Sequence, residues 1–201
     1  MSAFNKTQGI TILTHQAVAH PGTVKGDIQD VSTKLSATLI LSHASVEAAA
    51  NTNPGTFHVR ISASASGDED WVTIQKFTAQ VSTADTEALT ATEPSGETVL
   101  ACTSTTGFAA GDGLYIQDTE KVVNSEWRVC QEIVTNTSIN LLDGLARRKE
   151  SSDVVWNDAE IFHMHLDLSS VGRLSVFFQH EGASAANVHV KAMMITGDSI
   201  S

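Results

Sequence analysis

The sequence predicts an all-β protein made of antiparallel sheets, and the pattern of residues 57–77 is the main reason. Apolar and polar side chains alternate strictly from Phe57 to Ser66. Successive side chains of a strand point to opposite faces, so this run has one apolar and one polar face. Residues 68–70 are acidic and supply a turn, and a second β-rich run begins at Trp71. Such a hairpin is typical of an antiparallel sheet whose apolar face packs on another layer, as in a β-sandwich.

The segment before the hairpin is predicted to be an extended N-terminal arm over residues 1–30, followed by a strand over residues 35–41. The arm alternates only weakly between apolar and polar residues. Its few apolar side chains cannot offset the entropy cost of ordering the backbone, which is about 1–2 kcal/mol per residue. An ordered arm therefore needs contacts from outside its own segment.

The middle of the chain is predicted to be a separate β module inserted at residues 86–158. Residues 80–98 are polar and show no sustained period, and residues 147–158 are predicted to be a polar loop. Between them, Gly-rich turns separate short strands, a pattern typical of a small barrel or sandwich. These short strands are predicted over residues 99–102, 114–117, 126–134 and 138–142.

Clean alternation returns after the inserted segment. It predicts strands over residues 161–168, 174–178 and 188–195. The simplest organisation is a β-sandwich formed by residues 31–85 together with residues 159–201. The inserted module at 86–158 would then interrupt this host at a loop, where insertions are physically easiest.

The charge balance disfavours polyanionic partners. The 201 residues carry a net charge of −11, and residues 86–160 hold 13 acidic and 5 basic residues, a net of −8. Nucleic acid and anionic membrane surfaces attract basic proteins, so neither is an expected partner. No apolar run approaches the ~20 residues of a membrane helix. The N-terminus lacks the basic and apolar regions of a secretory signal, which predicts assembly in the cytoplasm.

No catalytic, cofactor-binding or metal-binding residues are predicted, and no cofactor is expected. His163 and His165 form an H-x-H pair on one strand face, but the sequence offers no third or fourth ligand. His58 and His189 lie in similar strand contexts and are predicted to be outward-facing polar residues. A hydrolase is disfavoured because the chain lacks G-x-S-x-G and a placeable pair of carboxylates.

The remaining special residues have structural interpretations. Cys102 and Cys130 are predicted to be buried, reduced thiols. The three tryptophans, including Trp71, are predicted to be core plugs or hairpin anchors rather than sugar platforms. The basic residues 147–149 are predicted to form a solvated loop, with contact to an acidic neighbouring subunit as the alternative.

Several motifs resemble those of known virion proteins. S-G-D-E-D-W-V-T-I (66–74) and D-L-S-S-V-G-R-L-S-V-F-F (167–178) resemble jelly-roll modules in which a Trp after an acidic turn enters the sandwich. T-T-G-F-A-A-G-D (105–112), N-S-E-W (124–127) and L-L-D-G-L (141–145) resemble a module of virion proteins of tailed bacteriophages. The chain is therefore similar to auxiliary capsid proteins, which are called decoration or cement proteins.

This resemblance implies a jelly-roll-like antiparallel β-sandwich without enzymatic activity. It implies a structural virion protein that binds the outer surface of a bacteriophage capsid and reinforces contacts between capsomers. The implied partners are the major capsid protein and further copies of the chain, with a trimer suiting local threefold positions. The implied location is the capsid surface, with assembly in the host cytoplasm. The host sheet, a sister subunit or the capsid could then order the N-terminal arm. The alternative is a carbohydrate-binding β-sandwich module of a phage tail or baseplate, since jelly rolls also host sugar sites.

Overall fold

The computed structural model describes residues 9–47, 55–64, 66–67, 70–80, 83–180 and 187–198. These residues form fifteen strands and one 3₁₀ turn, Val122–Asn124, and contain no α-helix. The all-β prediction is therefore confirmed. The strands are β1 Ile10–Val18, β2 Gly22–Lys25, β3 Gln29–Asp30, β4 Lys34–Ser45, β5 Thr56–Ser62, β6 Val72–Thr78, β7 Thr86–Ala88, β8 Val99–Ala101, β9 Gly113–Gln117, β10 Glu126–Val134, β11 Ser138–Leu141, β12 Val154–Trp156, β13 Ala159–Asp167, β14 Arg173–His180 and β15 Val188–Asp198.

Two antiparallel sheets form the sandwich. The four-stranded sheet has the order β1-β15-β4-β13. The five-stranded sheet has the order β2-β14-β5-β6, and the short β3 also pairs with β14.

The connectivity of the sandwich is that of one long hairpin rolled up on itself. The first strand pairs with the last (β1 with β15), and the next pairs inward are β2 with β14, β4 with β13 and β5 with β6. Rolling this hairpin brings β15 beside β4 and β14 beside β5. Eight strands in two sheets with this pairing make a jelly roll. The predicted jelly-roll-like sandwich is thus confirmed by topology.

The sandwich core comes from the alternation seen in the sequence. Phe57 and Val59 of β5 are buried as predicted. The strand ends earlier than predicted, at Ser62, because serine hydroxyls bind the local backbone. Ser62 Oγ accepts from the Ser64 amide at 3.1 Å and thereby closes a turn. The fully buried core residues include Leu39, Leu41, Phe57, Val59, Leu174, Val176, Phe178, Val188, Val190 and Ala192.

The first strand shows what orders much of the N-terminal segment. β1 pairs with β15, and β2 pairs with β14. Of the three possible sources of contacts for the predicted arm, the host sheets supply them for these two strands. Residues 1–8 lie outside the described residues.

Residues 86–156 contain a third sheet, which closes into a barrel. Its order is β7-β12-β9-β10-β11-β8, and a bridge between Leu89 and Cys102 joins the two edge strands. The short strands β8, β9 and β11 were predicted correctly, whereas the prediction of polar segments was wrong for β7 and β12, which no Gly-rich turn marks in the sequence. The barrel core consists of Leu89, Leu100, Cys102, Phe108, Leu114, Ile116, Cys130, Ile139, Leu141, Leu145 and Val155.

The chain enters and leaves the barrel at neighbouring points. The Asp85 amide donates to Asn157 Oδ1 at 2.7 Å, and the Asn157 amide donates to the Asp85 carbonyl at 3.2 Å. Close by, β9 approaches β13 so tightly that a Cβ on Gly113 would lie 1.9 Å from the Ala159 carbonyl oxygen. Glycine at this position therefore permits the barrel to pack against the sandwich.

Candidate functional site

A buried polar cluster connects the barrel to the outer face of the four-stranded sheet. The Tyr115 hydroxyl lies 2.9 Å from His15 Nε2 and 2.8 Å from His189 Nδ1. Trp127 Nε1 donates to the His43 carbonyl at 2.9 Å. A tyrosine hydroxyl donates only one hydrogen bond, so one of the two imidazoles accepts from Tyr115 and the other donates to it. The cluster thus fixes the barrel on β1, β4 and β15.

Burial keeps both imidazoles of this cluster neutral. Burial, and then the neighbouring His189, lower the pKa of His15 to about 3. Burial alone lowers the pKa of His189 to about 4 and raises the pKa of Tyr115. His189 points away from the sandwich core, as predicted, but it is buried because the barrel covers that face of β15. Tyr115 is the only tyrosine of the chain, which is the one sequence signal that could have pointed to this cluster.

A second buried polar group holds the loop before β12 under the barrel. Lys149 is fully buried, and its Nζ lies 3.2 Å from Glu126 Oε1. Glu126 also forms an ion pair with Arg128 and accepts from the Ala146 amide at 2.8 Å. The predicted solvated loop is therefore wrong for Lys149, although Arg148 is exposed. One member of the basic run at residues 147–149 therefore forms an internal ion pair with Glu126.

The outer face of the five-stranded sheet carries a stack of planar groups. The His58 ring stacks on Phe177 at 4.3 Å between centroids. The Arg60 guanidinium lies 4.8 Å from the Phe177 ring centroid and 5.2 Å from that of Trp71. The Arg173 guanidinium lies 4.9 Å from the Trp71 ring. Trp71 is half-buried and belongs to neither core, so the prediction of a core plug is wrong for this residue.

Two cavities accompany these two faces of the sandwich. One, of about 280 Å³, lies where the barrel meets the four-stranded sheet and is lined by residues that include Glu126, Trp127 and Lys191. The other, of about 380 Å³, opens on the five-stranded sheet. Its lining residues are Lys25, Gly26, Ile28, Arg60, Trp71 and Ser175.

The described part of the chain offers no assembled metal site. It contains no group of three or more His, Cys, Asp or Glu side chains that could hold an ion. His163 and His165 are exposed on β13, and His165 Nδ1 lies 3.3 Å from Thr38 Oγ1. No helix in the described ranges is long and apolar enough to cross a membrane.

The two cysteines belong to the barrel core, and both are buried, unbridged thiols as predicted. Burial raises the pKa of Cys102 to about 11 and also raises the pKa of Cys130. Both sulfurs are therefore protonated, poorly nucleophilic packing groups.

Comparison with known proteins identifies no family. No family model matches the chain, and no curated protein matches it. Among solved structures it is similar to VP17, a capsid protein of bacteriophage P23-77, with 8% identity and a TM-score of 0.21 over 98% of this chain and 100% of that one. It is also similar to the complex of the two major capsid proteins of that phage, VP16-VP17, with 9% identity and a TM-score of 0.23 over the same shares of the chains. Similarity at this level carries no argument, so the fold rests on the topology alone.

Proposed function

We propose that this chain is a structural virion protein that binds the outer surface of a bacteriophage capsid and reinforces contacts between capsomers. The jelly-roll topology is the observation that carries the proposal, because jelly rolls serve as capsid and lectin domains. The resemblance of the jelly-roll turns and of the barrel motifs to phage virion proteins selects the capsid role. The partners under this proposal are the major capsid protein and further copies of the chain.

The sandwich offers edges suited to docking on a lattice. β6 and β13 are the last strands in the two sheet orders, so each has one edge without a partner strand in the described part of the chain. Most residues of β6 are exposed, and Ile161, His163 and His165 are exposed on β13. Phe77 of β6 and Phe162 of β13 lie 5.3 Å apart between ring centroids, so the two strands share one side of the sandwich. A capsid protein could add a strand at this side.

The copy number of the protein in purified virions tests this proposal. A cement protein repeats across the shell, so we expect a number comparable to that of the major capsid protein, with labelling over the whole head. Quantitative mass spectrometry and immunogold labelling would measure both. A few copies confined to the tail would contradict the proposal.

One observation favours the alternative, a carbohydrate-binding module of a tail or baseplate. Trp71 is not a core residue and lines the cavity of about 380 Å³. Aromatic rings in open cavities can stack on sugars. However, the guanidinium groups of Arg60 and Arg173 already lie over this ring at 5.2 and 4.9 Å, which leaves less of it for a sugar. Glycan-array binding that is lost on Trp71→Ala would support the alternative.

A further inference from the structure

The outer face of the five-stranded sheet carries four basic side chains in an acidic protein: Lys25, Arg60, Lys76 and Arg173. One row across four strands places Lys25 opposite Phe177, Phe177 opposite His58, and His58 opposite Lys76. Lys25 and Lys76 are exposed. We call this surface the basic face; it consists of Lys25, Ile28, Arg60, Trp71, Lys76 and Phe177.

The two arginines beside Trp71 differ in what their donors bind. Arg173 donates to the carbonyl oxygens of Ser64, at 2.8 Å, and of Gly67, so it holds the turn after β5. Arg60 Nε is buried and has no hydrogen-bond acceptor among the described residues. A donor without an acceptor is costly, and a carboxylate bound in the cavity that Arg60 lines would supply an acceptor to this guanidinium. On the basic face, a hydrogen-bond acceptor would therefore gain most binding free energy at Arg60.

The cavity beside Arg60 fits a carboxylate on an apolar carrier. Lys25 and Arg60 supply positive charge, while Ile28 and Trp71 supply apolar walls. Ile28 is 49% exposed, so it offers apolar surface that a partner could cover. A planar guanidinium held between two rings is suited to carboxylate recognition.

The barrel carries a surface with acidic and exposed apolar side chains. Its strands β10, β11 and β8 are neighbours, and apolar side chains on or beside them are exposed: Val99, Val129, Val134 and Leu142. Glu97, Glu132 and Asp143 lie among or beside these residues, and Leu142 is 57% exposed. We call these seven residues the acidic face. Residues 86–160 as a whole carry a net charge of −8.

We propose that the basic face of one copy binds the acidic face of a second copy, with a barrel carboxylate entering the cavity at Arg60. The charges are complementary, and each face carries exposed apolar groups that the other would cover. The contact joins two different surfaces, so a pair of copies still has one unused basic face and one unused acidic face. Further copies can therefore add until the assembly closes into a ring or continues as a chain. The biological use of this contact rests on the proposed capsid role, whereas its existence is testable on the free protein.

Complementation between two variants of the full-length protein tests this contact. The basic-face variant carries Lys25→Glu and Lys76→Glu, and the acidic-face variant carries Glu132→Lys and Leu142→Gln; all four side chains are exposed. The single variants Lys25→Glu and Glu132→Lys replace them if circular dichroism shows a double variant to be unfolded. Lys121→Glu and Glu120→Lys, at exposed sites outside both faces, match the charge changes of the single variants Lys25→Glu and Glu132→Lys.

Sedimentation velocity at low salt is the measurement. We expect wild-type protein and both control variants to associate with rising concentration, and added salt to weaken the association. Each face variant alone should associate at least about tenfold more weakly. An equimolar mixture of the two face variants should form a heterodimer and nothing larger, because that pair retains one intact basic face and one intact acidic face.

Four outcomes would overturn the proposal. These are a wild type that stays monomeric at every concentration, face variants that associate like the wild type, a mixture that associates no better than its components, or control variants as impaired as the face variants. If the wild type is monomeric and glucuronate quenches its tryptophan fluorescence, but not that of Lys25→Glu, the cavity binds an acidic sugar instead. Shell binding by a monomeric wild type would leave the proposed function standing while removing this contact.

Discussion

The outer faces of the two sheets have equivalent sequence patterns but lie in different environments. On the four-stranded sheet, His189 is covered by the barrel, and the pKa of its imidazole falls to about 4. On the five-stranded sheet, His58 stacks on Phe177 and lies opposite the exposed Lys76. Both histidines occupy strand positions of the form H-V-R or H-V-K. Alternation therefore predicts which side chains leave the core, but not what covers them afterwards.

The largest expected effect comes from removing the barrel, which covers the outer face of the four-stranded sheet. Deleting residues 86–158 and joining Asp85 to Ala159 through a short Gly–Ser linker should leave a folded sandwich. The two ends lie close together, since Asp85 and Asn157 are hydrogen-bonded to each other, and the two cores share no residue. Far-UV circular dichroism and urea unfolding measure the outcome. An unfolded product would show that the barrel and sandwich are one cooperative unit.

Lys149→Met should give the next largest effect, within the barrel itself. The substitution leaves Glu126 with Arg128 but removes the fully buried partner, and breaking a buried pair in this way costs about 3–5 kcal/mol. Urea denaturation gives the free energy of unfolding. Arg148→Met is the matched control, because its pair with Glu150 is exposed and should contribute less than about 1 kcal/mol. Equal losses for the two variants would contradict the internal role of Lys149.

Acid should destabilise the covered face. The pKa of His189 is lower in the folded state than in the unfolded state, so the unfolded state binds the proton more tightly. Stability should therefore be almost unaffected by this group above pH 6.5 and fall as the pH drops from 6.5 towards 4, by about 3 kcal/mol. Unfolding free energies measured across this range would give the slope. His189→Asn should reduce the slope, and the exposed His163→Gln should leave it unchanged; no difference between them would contradict the assignment.

The smallest effect is expected at the uncovered face. Trp71→Ala should cost about 1 kcal/mol, since the residue is half-buried and its described ring contacts are guanidinium groups. Trp127→Ala, on the covered side, should cost about 3 kcal/mol because its ring packs on Tyr115 and His15 and its Nε1 binds His43. Urea unfolding of both variants gives the comparison. A larger loss at Trp71 would reverse the assignment of the two faces.

Sequence reasoning was successful where a strand showed a clear period, and also for the short strands β8, β9 and β11, which lie between turn residues. It identified β4, β10, β14 and β15 and the buried row of Phe57 and Val59. It missed β7 and β12, which have three residues each, and it extended β5 because serines that bind their own backbone still fit a polar alternation. Local patterns therefore identify a short strand only where turn residues mark its ends.

The candidate surfaces were harder to predict because they join residues far apart in the chain. His15, Tyr115 and His189 meet only after the barrel has packed on the sandwich. Arg60 and Trp71 lie near each other in the sequence, but Lys25 joins them through β14. No local pattern encodes such contacts. Even the basic run at residues 147–149 was misleading, because tertiary packing buries one member and exposes another.

Binding of the purified protein to capsid shells that lack it tests the central claim most directly. Shells and protein are mixed, sedimented together, and the bound protein is quantified against the major capsid protein. The capsid role predicts saturable binding across the shell surface and a higher temperature of shell disruption once the sites are filled. Absence of binding to such shells, with binding only to tails or to glycans, would contradict it.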